Sequence, residues 1–125
     1  MLENGEVRLW KKLYTLTLIL GLVIIISGLS SPNPISQSFY VAIGILELGS
    51  SALGLRRLEK PESVIVVSWL LFAFAVSFLL IVPGPAYSAP PAAMAAASLC
   101  AVIIGAIGLY GILGISRKYN LPVAP

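Results

Sequence analysis

The sequence contains no histidine, one cysteine and few charges of either sign. The absence of histidine removes the commonest metal ligand and the commonest general base. The single cysteine, Cys100, excludes an intramolecular disulfide. It lies inside an apolar stretch, where a thiol acts as a small hydrophobe. Charged residues make up 10% of the chain and apolar residues 58%. Typical globular proteins have about 25% and roughly 45–50%. Too few charges exist to cover a water-soluble surface. There is no Ser–His–Asp set, no Cys–His set and no pair of carboxylates, so the chain reads as a non-enzyme without metal or cofactor.

What is present is apolar sequence in long runs. The 125 residues suffice for one domain, read as a single membrane domain over 1–125. Four runs cover residues 13–29, 39–55, 64–82 and 92–115. A membrane-crossing helix needs about 20 residues, within a range near 17–25. Hydrocarbon supplies no hydrogen bonds, so each run must satisfy its backbone as a helix. The prediction is an all-α polytopic protein with four transmembrane helices. Breaks in the sequence agree. Pro32-Asn33-Pro34 closes the first run, Pro61 precedes the third, Pro83-Gly84-Pro85 stops it, and Pro90-Pro91 precedes the fourth.

Charge placement orients these spans. Arg8, Lys11 and Lys12 precede the first run. Arg56, Arg57 and Lys60 lie between the second and third, and Arg117 and Lys118 follow the fourth. The loops over residues 30–38 and 83–91 carry no charge. The positive-inside rule puts both termini and the middle loop in the cytoplasm, in a plasma membrane, with the basic side chains at lipid headgroups. Trp10, Tyr14 and Tyr119 then fall near the inner interface, and Phe39, Tyr40 and Tyr87 near the outer one. The basic clusters are short and flank spans, which explains them without nucleic acid. A basic start, an apolar stretch and Ser30-Ser31 also outline a cleavable leader. Pro32 disfavours that cut, and the run is long enough to span, so the first helix is expected to stay.

The halves resemble each other. Residues 13–34 align without gaps on 64–85, and Leu53-Gly54-Leu55 lies over Leu113-Gly114-Ile115, with Arg57 over Arg117. Each half is a helical hairpin that starts and ends on one side. Ile19-Leu20-Gly21-Leu22, Ser27-Gly28, the proline turn, Ala42-Ile43-Gly44-Ile45-Leu46 and Gly54-Leu55-Arg56-Arg57 form one such unit. It resembles the hairpin of HdeD-type bacterial membrane proteins. That resemblance implies repeated hairpins and a link to acid stress, and brings no catalytic motif.

Glu47 stands apart from the other acids. Glu3, Glu6, Glu59 and Glu62 lie among basic residues outside the spans, as solvated charges. Glu47 lies eight residues from either end of the second run. An acid at a helix centre costs about 2.5–3.5 kcal/mol to insert, so it should face protein or water. Gly44, Glu47, Ser51 and Gly54 recur at spacings of three and four and form one small or polar stripe. Gly21 and Gly28 on the first helix, and Gly105, Gly108, Gly111 and Gly114 on the fourth, are expected to let helices approach closely. Candidate partners for Glu47 are Thr17, Ser68, Ser77, Ser98 and the indole of Trp69.

Two functions compete. One is a non-catalytic accessory subunit or scaffold, packing against other membrane subunits or further copies of itself in the lipid bilayer. The other is a small proton-coupled transporter or channel subunit that uses Glu47. Small multidrug exporters are similar in size and span number and also depend on one membrane carboxylate, but theirs lies in the first span. An HdeD-like acid-stress protein is a third possibility.

Overall fold

The computed structural model describes residues 4–58, 60–81 and 90–120. Four helices account for nearly all of them: α1 (Asn4–Leu29), α2 (Pro34–Arg56), α3 (Pro61–Ile81) and α4 (Pro91–Tyr119). All four are long and apolar enough to cross a membrane. Each apolar run lies within one helix, except that the third run's last residue, 82, lies outside the described residues. The helices extend past the runs at several ends. α1 takes in the basic segment before residue 13, and α4 continues through Arg117 and Lys118. The segment 82–89, with Tyr87 and Pro83-Gly84-Pro85, lies outside the described residues.

Local chemistry sets the helix starts. α2 begins at Pro34, five residues before the expected Phe39. Asn33 caps it with an extended backbone, and its Oδ1 accepts from the Ile35 N–H at 3.0 Å. Proline at the first helical position costs nothing, because that N–H has no partner within the helix. The expected loop over 30–38 therefore shrinks to residues 30–33. α3 and α4 also open on prolines, Pro61 and Pro91. α4 ends on Asn120, which takes the left-handed conformation at φ 52° that asparagine tolerates, and its N–H bonds to the Ser116 carbonyl.

Consecutive helices pack antiparallel. α1 lies along α2 and α3 along α4 most extensively; α1–α4 and α2–α3 contacts close the ring less tightly. The start of α1, the 57–60 connection and the end of α4 share one end. All eight basic residues are exposed there. The start of α1 and the end of α4 are tied together, since Lys118 pairs with Glu6 and the Tyr119 hydroxyl donates to Glu6 Oε1 at 3.1 Å.

The core is apolar with aromatic ends. Trp10, Tyr14, Tyr40, Leu71, Phe78 and Ile104 are fully buried. Trp10 and Tyr40 lie six residues inside α1 and α2 and Tyr14 ten residues inside α1, and all three rings turn inward. Trp10 packs on Tyr14 and Tyr110, with ring centroids 5.4 and 5.7 Å away. The outer surface is apolar too, with Leu80 77% and Ile26 65% exposed. For helices surrounded by lipid no hydrophobic contrast separates inside from outside, and close packing holds such a bundle together.

Candidate functional site

The α1–α2 seam is built from pairs lying equally far on either side of Pro34. Gly28 faces Tyr40, Gly21 faces Glu47, and Thr17 and Gly54 face Ser51 and Tyr14. Each pair sets a small residue or hydroxyl against a larger one. A methyl group at Gly54 would stand 2.8–2.9 Å from the Tyr14 ring. At Gly28 it would collide with Tyr40, and at Gly44 with Ile25. Glycine lets the backbones approach here because nothing larger fits.

Glu47 is fully buried in this seam. Its Cβ lies 3.4 Å from where a Cβ on Gly21 would sit. Neither carboxyl oxygen has a hydrogen-bond partner among the described residues. None of the five expected partners reaches it. Thr17 is engaged with Ser51, and Ser77 bonds the Ala73 carbonyl at 2.8 Å. An unmade hydrogen bond at a buried polar group costs about 1–3 kcal/mol, so bare burial is an expensive arrangement for two oxygens.

Other polar groups line the seam between Glu47 and the basic end. Ser51, one turn along α2, has its Oγ 2.7 Å from Thr17 Oγ1. The Thr17 hydroxyl donates to the Tyr14 carbonyl at 2.9 Å, so Ser51 is the donor to Thr17. A further turn along, the Tyr14 hydroxyl faces that of Ser68 on α3. The two do not meet in hydrogen-bond geometry, and both are buried without a partner. Tyr14, Thr17, Glu47, Ser51 and Ser68 are all 0% exposed. On the other side of Glu47, α1 and α2 supply no polar side chain over 21–26 and 41–46. Tyr40, Phe78 and Phe39 close that side. Tyr40 meets Phe78 edge-on at 5.0 Å, and Phe39 stacks on Phe78 at 5.7 Å.

The stripe of Gly44, Glu47, Ser51 and Gly54 thus faces α1 as one surface. The α4 glycines divide. A methyl group at Gly108 would stand 2.7 Å from the Ser68 carbonyl oxygen, and one at Gly111 would collide with the Ser68 hydroxyl. Gly105 faces Ala75 at ordinary contact distance, 3.4 Å. Gly114 is exposed, with only its own helix's Tyr110 nearby. Arg8, Lys11, Lys12, Arg56, Arg57, Lys60, Arg117 and Lys118 stand apart from Glu47, at the end of the bundle. Ser68, expected as a partner of Glu47, instead faces Tyr14, which the sequence did not mark as part of the polar seam. A signal for Tyr14 existed, since it lies as far before Pro34 as Gly54 lies after it.

No family model, curated protein or solved structure matches this chain.

Proposed function

We propose that the chain is a non-catalytic accessory subunit or scaffold that packs within a larger plasma-membrane assembly. The carrying observation is the α1–α4 seam. It leaves an open apolar groove of about 450 Å³, lined by Leu9, Leu13, Val102, Ile103, Ala106 and Tyr110 among others. The α1–α2 and α3–α4 pairs lie in more extensive contact, while this seam stays open. A partner helix bearing large apolar side chains fits such a groove.

Eight basic residues at one end support cytoplasmic termini. Aligned contacts support two similar hairpins. Thr17 meets Ser51 in the first half, and Ser68 meets Gly111 at the corresponding positions of the second. Gly21 receives Leu48 in the first half; in the second, Phe72 packs on Gly108, with the large and small partners exchanged.

The test is site-directed cross-linking in native membranes, with Ala106→Cys introduced into a Cys100→Ser background and Leu80→Cys as the lipid-facing control. The expected result is one discrete adduct from position 106, to a partner chain or a second copy, and none from position 80. A chain that stays a monomer at both positions, and is stable and functional alone in lipid, sinks this reading.

One observation favours a second reading, a small proton-coupled transporter or channel subunit. It is the unpartnered carboxyl of Glu47, since intramembrane acids mark proton and ion paths. Proton flux in proteoliposomes that Glu47→Gln abolishes supports it. Flux untouched by that substitution removes Glu47 from the path.

A further inference from the structure

We propose that Glu47 exchanges its proton with the basic end of the bundle alone, through water held along the hydroxyl ladder of the α1–α2 seam. This rests on the second reading above and gives it a direction.

Five buried side-chain atoms lie unpartnered among the described residues: both Glu47 carboxyl oxygens with the Tyr14 and Ser68 hydroxyls toward the basic end, and the Tyr40 hydroxyl toward the other. Buried polar groups that protein cannot satisfy are where internal water resides, usually with two to four polar partners. Between Glu47 and the Tyr14–Ser68 level the buried hydroxyls are those of Thr17 and Ser51, already bonded to each other, and of Ser50, which donates to the Leu46 carbonyl. The hydrogen bonds of the Thr17–Ser51 pair point one way, from Ser51 to Thr17 and on to the Tyr14 carbonyl. A carbonyl cannot pass a proton on, so water must bridge from this chain to the Tyr14 and Ser68 hydroxyls.

The transfer balances. The Glu47 carboxyl gives its O–H proton to a bridging water and becomes a carboxylate. Each hydroxyl or water in turn accepts one proton and releases its own, and the last proton leaves at the basic end. The reverse sequence reloads Glu47. Toward the other end no hydroxyl continues the path from Glu47: α1 and α2 carry no polar side chain over 21–26 and 41–46, and Tyr40, whose hydroxyl is unpartnered, lies beyond that apolar stretch. Ile25 covers Gly44, Ile24 and Ile43 are buried behind it, and the Tyr40–Phe78–Phe39 cluster follows. The other titratable side chains within the spans are Tyr14 on α1, Tyr40 on α2, and Cys100 and Tyr110 on α4; α3 has none past its first turn. Of these only Tyr14 lies on the ladder.

The experiment is infrared spectroscopy of the full chain in lipid nanodiscs. The protonated-carboxyl C=O band of Glu47, assigned by its loss in Glu47→Gln, is followed as buffer is switched from H2O to D2O. Thr17→Val with Ser51→Ala should slow exchange by about tenfold, the rate equivalent of one lost hydrogen bond in the relay. Thr17→Ser, which keeps the hydroxyl, should exchange at the wild-type rate. Tyr40→Phe, on the sealed side, should also leave the rate unchanged. If the double variant does not fold, Ser51→Ala alone is read in the same way. Unchanged exchange without the ladder hydroxyls overturns the proposal. So does slowing by Tyr40→Phe, or the lack of any carboxyl band that Glu47→Gln removes. Exchange is measured without net flux, so a chain that exchanges through the ladder but transports nothing fails only as a transporter.

Discussion

At Gly108 the atoms that a side chain would strike belong to backbone. A Cβ there would lie 2.7 Å from the Ser68 carbonyl oxygen and 3.0 Å from the Phe72 amide nitrogen. Neither can rotate away, so α3 and α4 would have to part. Overpacking a tight core costs typically about 1–3 kcal/mol. Gly108→Ala should lower the thermal midpoint in mild detergent by that much stability, although alanine is the better helix former. Gly49 has open space and Gly114 only an ordinary contact with the Tyr110 ring at 3.9 Å, so there the propensity gain of about 1 kcal/mol acts alone. Alanine at either should raise the midpoint or leave it unchanged. Equal destabilisation at 108 and 114 would mean that the glycines act through helix propensity and not through contact. The sequence marked all the α4 glycines as packing residues because they share a spacing. It could not separate Gly108 from Gly114, since both flanks of a membrane helix are apolar and the pattern does not mark which one meets protein.

The helices themselves were legible, because a run of apolar residues long enough to span has only one way to satisfy its backbone. Their ends were less so. Pro32-Asn33-Pro34 reads as a break, and it does end α1, but the same tripeptide starts α2. Asn33 is its N-cap and Pro34 its first helical residue. Taking both prolines as breakers hid this double use and displaced the start by five residues. The cap can be tested alone. Asn33→Ala removes the acceptor of the Ile35 N–H and should cost about 1 kcal/mol, while Asn33→Asp or Asn33→Ser should cost little. Chemical or thermal unfolding in detergent reads the difference. Equal losses for alanine and serine would show that the Pro34 ring, not the cap, fixes the start of α2. The pairing of α1 with α2 was also partly written in the chain. Large and small partners stand symmetrically about Pro34, yet that symmetry becomes visible only once Pro34 is known to begin a helix. The polar seam was harder still. Glu47 and Ser51 declared themselves as a stripe, but the facing hydroxyls of Tyr14 and Ser68 come from other helices, and single-helix periodicity carries no information across helices.

At the scale of the whole molecule, charge has one axis. The fold gathers three separate basic clusters, from the start of α1, the 57–60 connection and the end of α4, onto one end. The 30–33 connection at the opposite end has no charge. Each cluster alone biases insertion in the same direction, and a central acid such as Glu47 contributes little to that bias. Orientation should therefore be redundant. Neutralising Arg56, Arg57 and Lys60 together leaves Arg8, Lys11, Lys12, Arg117 and Lys118 in place, and the chain should still insert with its termini in the cytoplasm. The measurement uses a membrane-impermeant maleimide on intact cells, in a Cys100→Ser background. Position 30 carries the outer reporter, Ser30→Cys, and position 5 the inner one, Gly5→Cys, where a side chain meets open space. Labelling at 30 and not at 5 is expected both for the parent and for the triple variant. Labelling at 5 in the parent would reverse the orientation, and the ladder below Glu47 would then open to the outside. Mixed labelling in the triple variant alone would locate the dominant orientation signal in the middle cluster.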